Sequence, residues 1–308
     1  MVVVFGSINL DLVARVPRFV QPGETLAAVA FAMHPGGKGA NQALAAARAG
    51  AQVALAGAVG RDAFAAPALA LLRAGGVDVS AVRAVAAPTG LALIEVAASG
   101  DNRIVIVAGA NAHADADDVS GDSLGPSTVV ILQQEIPAAA NLMLATRARV
   151  AGARVVLNAA PARAVETALL DLVSILIVNE TEMRSLAATG DLPAEPGAFT
   201  AAFARRHGGM AVVTLGAQGA IAAKPGARYT LPAPLVAAVD TTGAGDAFVG
   251  ALAAAVERGE SLRVALSWGI AAGSLACEHA GAQPSLPHTA AIMPLAAILE
   301  SQAIVRPG

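Results

Sequence analysis

Ser174-Ile-Leu-Ile-Val-Asn-Glu-Thr-Glu182 decides the fold class. The apolar run ending at Val178 reads as a short strand buried on both faces. Asn179 stands three residues before Glu182, the spacing of a capping box, so a helix is expected over 180–188. A buried strand that turns at once into a helix is half of a βαβ unit. The alternation continues on both sides, with strands expected at 128–132, 154–157 and 211–215 and helices at 138–151, 163–171 and 197–207. Nearer the start, a strand at 2–6 ends at Gly6, a helix at 40–49 is closed by Gly50, a strand follows at 53–57, and a helix at 63–74 stops at Gly75-Gly76. Short apolar runs alternating with helices indicate an α/β fold, with a mostly parallel central sheet flanked by helices.

Two stretches interrupt the pattern. Runs at 90–97 and 103–108 flank Ser99-Gly-Asp-Asn102, a hairpin signal, and Leu10–Met33 alternates short apolar segments with Pro17, Pro22 and Gly23. Together they form either a small sheet outside the main one or extra strands on its edge. Residues 219–231 read as a hairpin, and 245–258, 261–277 and 289–301 as helices. No repeat or low-complexity linker divides the chain.

Composition narrows the function. A net charge of −3 with no basic block disfavours nucleic-acid binding. The longest uncharged span, His279–Leu299, contains Pro284, Pro287 and Pro294 and makes a poor membrane helix. Met1-Val-Val-Val-Phe-Gly6 lacks the basic start of a signal peptide. The one cysteine, Cys277, excludes an internal disulfide and fits a cytoplasmic protein. Only two lysines occur, so Lys38, set among glycines, stands out.

Asp240-Thr-Thr-Gly-Ala-Gly-Asp246 carries the chemistry. It puts Asp246 just after two glycines, at the start of an apolar helix. Helix N-termini offer free N–H groups and partial positive charge, and glycine lets a phosphate approach them. Asp246 is therefore either an acid beside a bound anion or a plain cap. Gly36-Gly-Lys-Gly-Ala-Asn41 opens another helix but is not a Walker loop, since no Ser or Thr follows Lys38. Asn9 and Asp11, two apart, point the same way from an extended segment, or simply cap a turn. Glu135 follows a strand, Asn179 and Glu182 follow another, and Thr214-Leu-Gly-Ala-Gln-Gly219 follows a third. These positions fall repeatedly at strand carboxyl ends, where open α/β sheets bind ligands.

With these residues placed, the chain resembles the ribokinase (PfkB-type) carbohydrate kinase family. The resemblance runs from Gly6-Ser-Ile-Asn-Leu-Asp11 to Gly281-Ala-Gln-Pro-Ser285 and includes both glycine-rich signatures. Pro22-Gly-Glu-Thr-Leu26 and Gly36-Gly-Lys-Gly-Ala-Asn-Gln42 are most similar to the ribose-phosphorylating members. The resemblance implies one ribokinase-like kinase domain over 1–308, with a β-sheet lid from roughly 10–33 and 90–108. It implies that Asp246 is the general base on O5 of ribose, and that the amides of Gly243, Ala244, Gly245 and Asp246 form an anion hole. Asn9, Asp11, Gly37, Lys38, Asn41 and Glu135 would hold the sugar. Asn179, Thr214, Leu215, Gly216, Ala217, Gln218, Gly219 and Gly245 would contact ATP, and Gly269 would lie near adenine. Glu182 would help organise Mg²⁺. Asp240, Thr242, backbone near Ala276, His279 and Gly281, and the Ser285 side chain would form a K⁺ site. A homodimer through the lid is also implied. A sibling kinase for deoxyribose, another sugar or a nucleoside is the alternative; aromatic content of only 3% weighs against a pocket that stacks a base. A non-catalytic binder need not retain Asp246, and the first strand lacks the G-x-G-x-x-G turn of an oxidoreductase.

Overall fold

The computed structural model describes residues 1–308. Ten strands form the main sheet, in the order Ile304–Pro307, Ala227–Leu231, Ala220–Lys224, Met210–Thr214, Ile175–Asn179, Arg154–Asn158, Val129–Leu132, Val2–Phe5, Val53–Gly60 and Val82–Val85. The run from Met210–Thr214 to Val82–Val85 is parallel, and the three strands at the other edge pair antiparallel. Alternate side chains leave opposite faces of a strand. Val2 and Val4 accordingly join the core beneath helices Lys38–Arg48, Ala65–Ala74, Ala244–Glu257, Leu262–Ala276 and Thr289–Gln302. Val3 and Phe5 join the core beneath Ala138–Val150, Glu180–Thr189 and Pro196–His207. Burial on both faces explains why these strands read as continuous apolar runs rather than alternating ones.

The interrupting segments form a separate four-stranded sheet, ordered Ala30–Gly36, Asn9–Val16, Gly90–Ala97 and Asn102–Val107. Leu12 pairs with Met33 on one side and Leu93 on the other, and Leu93 pairs with Val105. Asn9 and Asp11 therefore lie within a strand of this sheet, two residues apart on one face, rather than in a turn after the first strand.

Other differences have local causes. The helix expected over 163–171 is a single turn, Thr167–Leu170, because only Leu169 and Leu170 are buried and no longer apolar face exists to anchor it. The helix expected from residue 40 begins at Lys38, since Gly37, at φ 88°, takes the N-cap position. Val82–Val85 and Ile304–Pro307 were not expected; both are short edge strands with little burial, so their sequence carries no alternating signal. Gly250 matters most for the site. A Cβ there would lie 2.7 Å from Gln42 O and Ala46 N, so glycine lets helix Ala244–Glu257 press against helix Lys38–Arg48. That contact brings Asp246 to Asn41 and Gln42.

Candidate active site

Asp246 sits in the first turn of helix Ala244–Glu257 and is 7% exposed. Gly243 caps that helix in the left-handed region, at φ 79°. A Cβ on Gly243 would stand 3.0 Å from Ala282 Cα. The carboxylate is held at both oxygens: Gln42 Nε2 donates to Oδ1 at 2.8 Å and Asn41 Nδ2 donates to Oδ2 at 2.9 Å. Gln42 Nε2 also donates to Asn158 Oδ1 at 3.0 Å. Burial raises the Asp246 pKa, against the pull of Lys38 and the two amide donors. The result is an oriented carboxylate more basic than usual, at a helix end that favours anions.

A cavity of about 230 Å³ opens on this residue, lined in part by Lys38, Asn158, Asn179, Glu182, Thr214 and Gly245. It lies at the carboxyl ends of three adjacent parallel strands. Asn179 and Glu182 form the expected capping box: Asn179 Oδ1 accepts from the Glu182 N–H and Glu182 Oε2 from the Asn179 N–H, each at 2.8 Å. Burial raises the Glu182 pKa, opposed by the Asn179 bond and by Lys38. Burial likewise pulls Lys38 down, but Asp246, Glu135 and Glu182 outweigh it and leave the ammonium with a raised pKa. A single cation thus faces three carboxylates.

Beside the cavity, Glu135 Oε2 accepts from Ser7 Oγ at 2.6 Å and from the Lys38 N–H at 3.1 Å. Asn9 Oδ1 accepts from Asn111 Nδ2 at 2.7 Å, while Asn111 Oδ1 accepts from the Ile8 N–H. Asp11 is pushed up to about 7 by burial, then by the neighbouring Glu135 and Asp246 charges. Gly36 and Gly37 pack against this corner; a Cβ on Gly37 would come 2.8 Å from the Asn9 nitrogen. Asn9, Asp11, Gly37, Lys38, Asn41, Glu135 and Asp246 are therefore brought together from four separate chain segments.

The remaining expected residues fall in two groups. Thr214 lines the cavity, while Leu215 to Gly219 form the adjoining turn, with Gly216–Gln218 as one 3-10 turn. Asp240 Oδ1 accepts from the Thr242 N–H at 2.9 Å and Oδ2 from the Gly281 N–H at 2.8 Å. These bonds overcome burial and lower the Asp240 pKa. Ala276 ends helix Leu262–Ala276, its carbonyl accepting from the His279 N–H, and Ser285 Oγ donates to Ala282 O at 2.9 Å. All of this lies behind Gly243. Gly269 is a packing residue, where a Cβ would meet the Phe248 ring at 2.9 Å.

Ser7, Gln42, Asn111 and Asn158 were missed. Asn158 follows the rule that found Glu135 and Asn179, a polar residue at a strand's carboxyl end. Ser7 and Gln42 lie inside the two early motifs. Nothing in the sequence marks Asn111, whose partner is 102 residues away. No group of three His, Cys, Asp or Glu side chains forms a ready metal centre, and no helix is long and apolar enough to cross a membrane.

Comparison with known proteins gives the family and the fold. Residues 1–289 match the family described as pfkB family carbohydrate kinase. A ribokinase of Haemophilus influenzae is 37% identical over 289 residues, 92% of this chain and 94% of that one. A ribokinase of Lactococcus lactis is 36% identical over 92% of this chain and 93% of its own. The crystal structure of a Thermotoga maritima ribokinase superposes with a TM-score of 0.88 at 31% identity, covering 96% of this chain and 98% of that one. The Arabidopsis thaliana ribokinase, solved with ribose and ATP, gives 0.83 at 31% identity over the same shares. An oriented, basic carboxylate on a glycine-capped helix, in a fold shared end to end with these enzymes, has one consistent reading: the chain belongs to the pfkB family of carbohydrate kinases.

Proposed function

We propose that the chain is a ribokinase, transferring the γ-phosphoryl group of ATP to O5 of D-ribose to give ribose 5-phosphate and ADP. The observation that carries this reading is Asp246, buried at a helix N-terminus and aimed by Asn41 and Gln42. Asp246 accepts the O5 proton as the bond to phosphorus forms; its raised pKa favours that transfer. The Ala244 N–H donates to Thr241 O at 3.2 Å, and the N–H groups of Gly243, Gly245 and Asp246 are left to stabilise charge on the moving phosphoryl group, where preorganised donors act most strongly. Lys38 adds positive charge to the same cavity. Asn9, Asp11, Asn41 and Glu135 accept or donate to the sugar hydroxyls, a dense polar set suited to a polyol. Thr214 and Asn179, with the turn 215–219, line the path for the nucleotide.

The residues fit Mg²⁺. Glu182 has one carboxylate oxygen committed to Asn179 and the other without a protein donor, and its burial leaves a charge that a cation would relieve. Held there with ATP, Mg²⁺ would offset the charge of the phosphates. They also fit K⁺. Asp240 stays ionised beside the carbonyl end of helix Leu262–Ala276, an all-oxygen donor set, and its bonds to Thr242 and Gly281 tie that set to the Gly243 turn.

Residues 1–308 act as one kinase domain, with the small sheet as a lid that excludes water. Phe31, Met33, Leu93, Ile104, Val105 and Ile106 are each at least 44% exposed on that sheet. A second copy covering them gives a homodimer; light scattering showing a monomer at micromolar concentration would contradict it. ATP as donor and a lone cysteine suit the cytoplasm. The deciding assay is ADP release over a panel of ribose, deoxyribose, hexoses and nucleosides. Ribose should give the highest kcat/KM, and a higher value for any other acceptor would overturn the assignment.

A further inference from the structure

A second cavity, of about 320 Å³, lies away from the active site. It lies at the opposite edge of the main sheet, at the amino ends of the strands that begin with Arg154, Ile175 and Met210. Lys224 reaches the same edge because its strand runs antiparallel to Met210–Thr214. Arg149 completes a set of three cations around the opening.

None of the three belongs to an ion pair. The chain's salt bridges use other arginines. Arg154 and Lys224 are half-buried and donate no side-chain hydrogen bond, and Arg149 makes only a 3.5 Å contact with Ser174 Oγ. The one acid in the lining, Asp171, is taken up by His207 Nδ1 at 2.6 Å. Two half-buried cations and the exposed Arg149, none of them paired with an acid, leave the opening positively charged and favour an anion there. The floor is apolar, with Val173, Ile175 and Met210. Cations above an apolar floor suit an anion that carries a small organic body. The volume is at the lower end of small-molecule sites, which run from about 300 Å³.

We propose that this cavity binds a small organic phosphate through Arg149, Arg154 and Lys224. The site is distinct from the phosphoryl-transfer centre. Arg154 lies at one end and Asn158, which lines the active-site cavity, at the other end of the same strand, about 13 Å apart at roughly 3.3 Å per residue. The ligand bound here is therefore not the transferred phosphate.

Calorimetric titration tests it, with inorganic phosphate and glucose 6-phosphate as probes. Both are titrated with and without saturating ribose, Mg²⁺ and a non-hydrolysable ATP analogue, so that the active site is occupied in one arm. Glucose 6-phosphate should bind once per chain in both arms, more tightly than inorganic phosphate because of the floor. Arg154→Met with Lys224→Met should weaken it at least tenfold, while Arg61→Met, elsewhere on the surface, should not. Equal binding of both probes would mean that phosphate alone is recognised and would overturn the organic body. Absence of stoichiometric binding to the wild-type chain, or equal binding by a folded double variant, would overturn the site. The wild-type result stands even if the double variant misfolds, and the loss expected on changing Arg154 and Lys224 does not depend on which sugar the enzyme phosphorylates.

Discussion

Asp246→Asn removes the proposed proton acceptor with almost no change of shape, and the surrounding amides set its structural cost. The new side chain must present an NH₂ group to Asn41 or Gln42, both of which now donate to the carboxylate. Gln42 is constrained, because its Nε2 also donates to Asn158. Asn41 is not: its Oδ1 is buried without a donor, so turning the Asn41 amide over restores the bond. Both hydrogen bonds survive, and the stability change should stay within about 1 kcal/mol, the net worth of one such bond. Relief of Asp246 desolvation and loss of its attraction to Lys38 act in opposite directions. Turnover has no such compensation. Positioned general bases contribute roughly 10²–10⁴-fold, or about 2.7–5.4 kcal/mol at 1.36 kcal/mol per decade. The expected outcome, from coupled ADP release and a thermal melt on one preparation, is kcat lower by that factor. Ribose KM should stay within about threefold, since the variant keeps the sugar contacts. A folded variant whose kcat lies within tenfold of the wild type would refute the assignment of the base.

The Asp11 pKa, raised to about 7 from 3.8, makes a pH prediction. A folded value above the unfolded one contributes stability that is full below about pH 4 and lost as pH rises to 7. Asp11→Asn should therefore raise Tm over wild type at pH 8 but not at pH 4; a pH-independent gap would contradict this. Ribose KM should also fall between pH 6 and 8 as the acceptor ionises, and a flat profile would count against its contact with sugar. Gly245 and Gly243 should separate function from folding. A Cβ on Gly245 meets no atom within 4 Å, so Gly245→Ala should leave Tm unchanged or higher yet cut kcat at least tenfold by blocking the phosphate path. Gly243→Ala, strained at φ 79° and against Ala282, should cost at least about 1–2 kcal/mol of stability as well. Finally, chelating Mg²⁺ should abolish turnover, and Asp240→Asn should raise the K⁺ concentration giving half-activation several-fold; an unchanged K⁺ response would remove Asp240 from the cation site.

The sequence was most informative where physics is local. Buried parallel strands are apolar on both faces, capping boxes have a fixed spacing, and glycine is required where φ is positive, so the βα alternation, the Asn179–Glu182 box and the Gly243 turn could all be read directly. Edge strands such as Val82–Val85 bury too little to leave a pattern. The partners that aim Asp246 were harder to read. Gln42 is 204 residues away and acts only because Gly250 lets two helices meet.

Topology explains why the proposed sugar site lies where it does. Strand Val2–Phe5 has Val53–Gly60 on one side and Val129–Leu132 on the other, so the chain builds the sheet outward in one direction and then returns to build it in the other. Loops leaving the carboxyl ends of two such neighbours diverge, and the gap between them is where open α/β sheets bind ligands. Here the gap lies between Val2–Phe5 and Val129–Leu132, and the bond from Ser7 Oγ to Glu135 Oε2 spans it. Lys38 N joins the same carboxylate, which brings the start of helix Lys38–Arg48 into the gap. The two early motifs and Glu135 are thus fixed by the order of strands. Asp246 arrives from outside the sheet, carried by a helix packed on helix Lys38–Arg48. The proposed base and two of the proposed sugar contacts, Lys38 and Asn41, consequently depend on one helix, so substitutions that shift helix Lys38–Arg48 should impair kcat and ribose KM together, whereas changes confined to Asp246 should impair kcat alone.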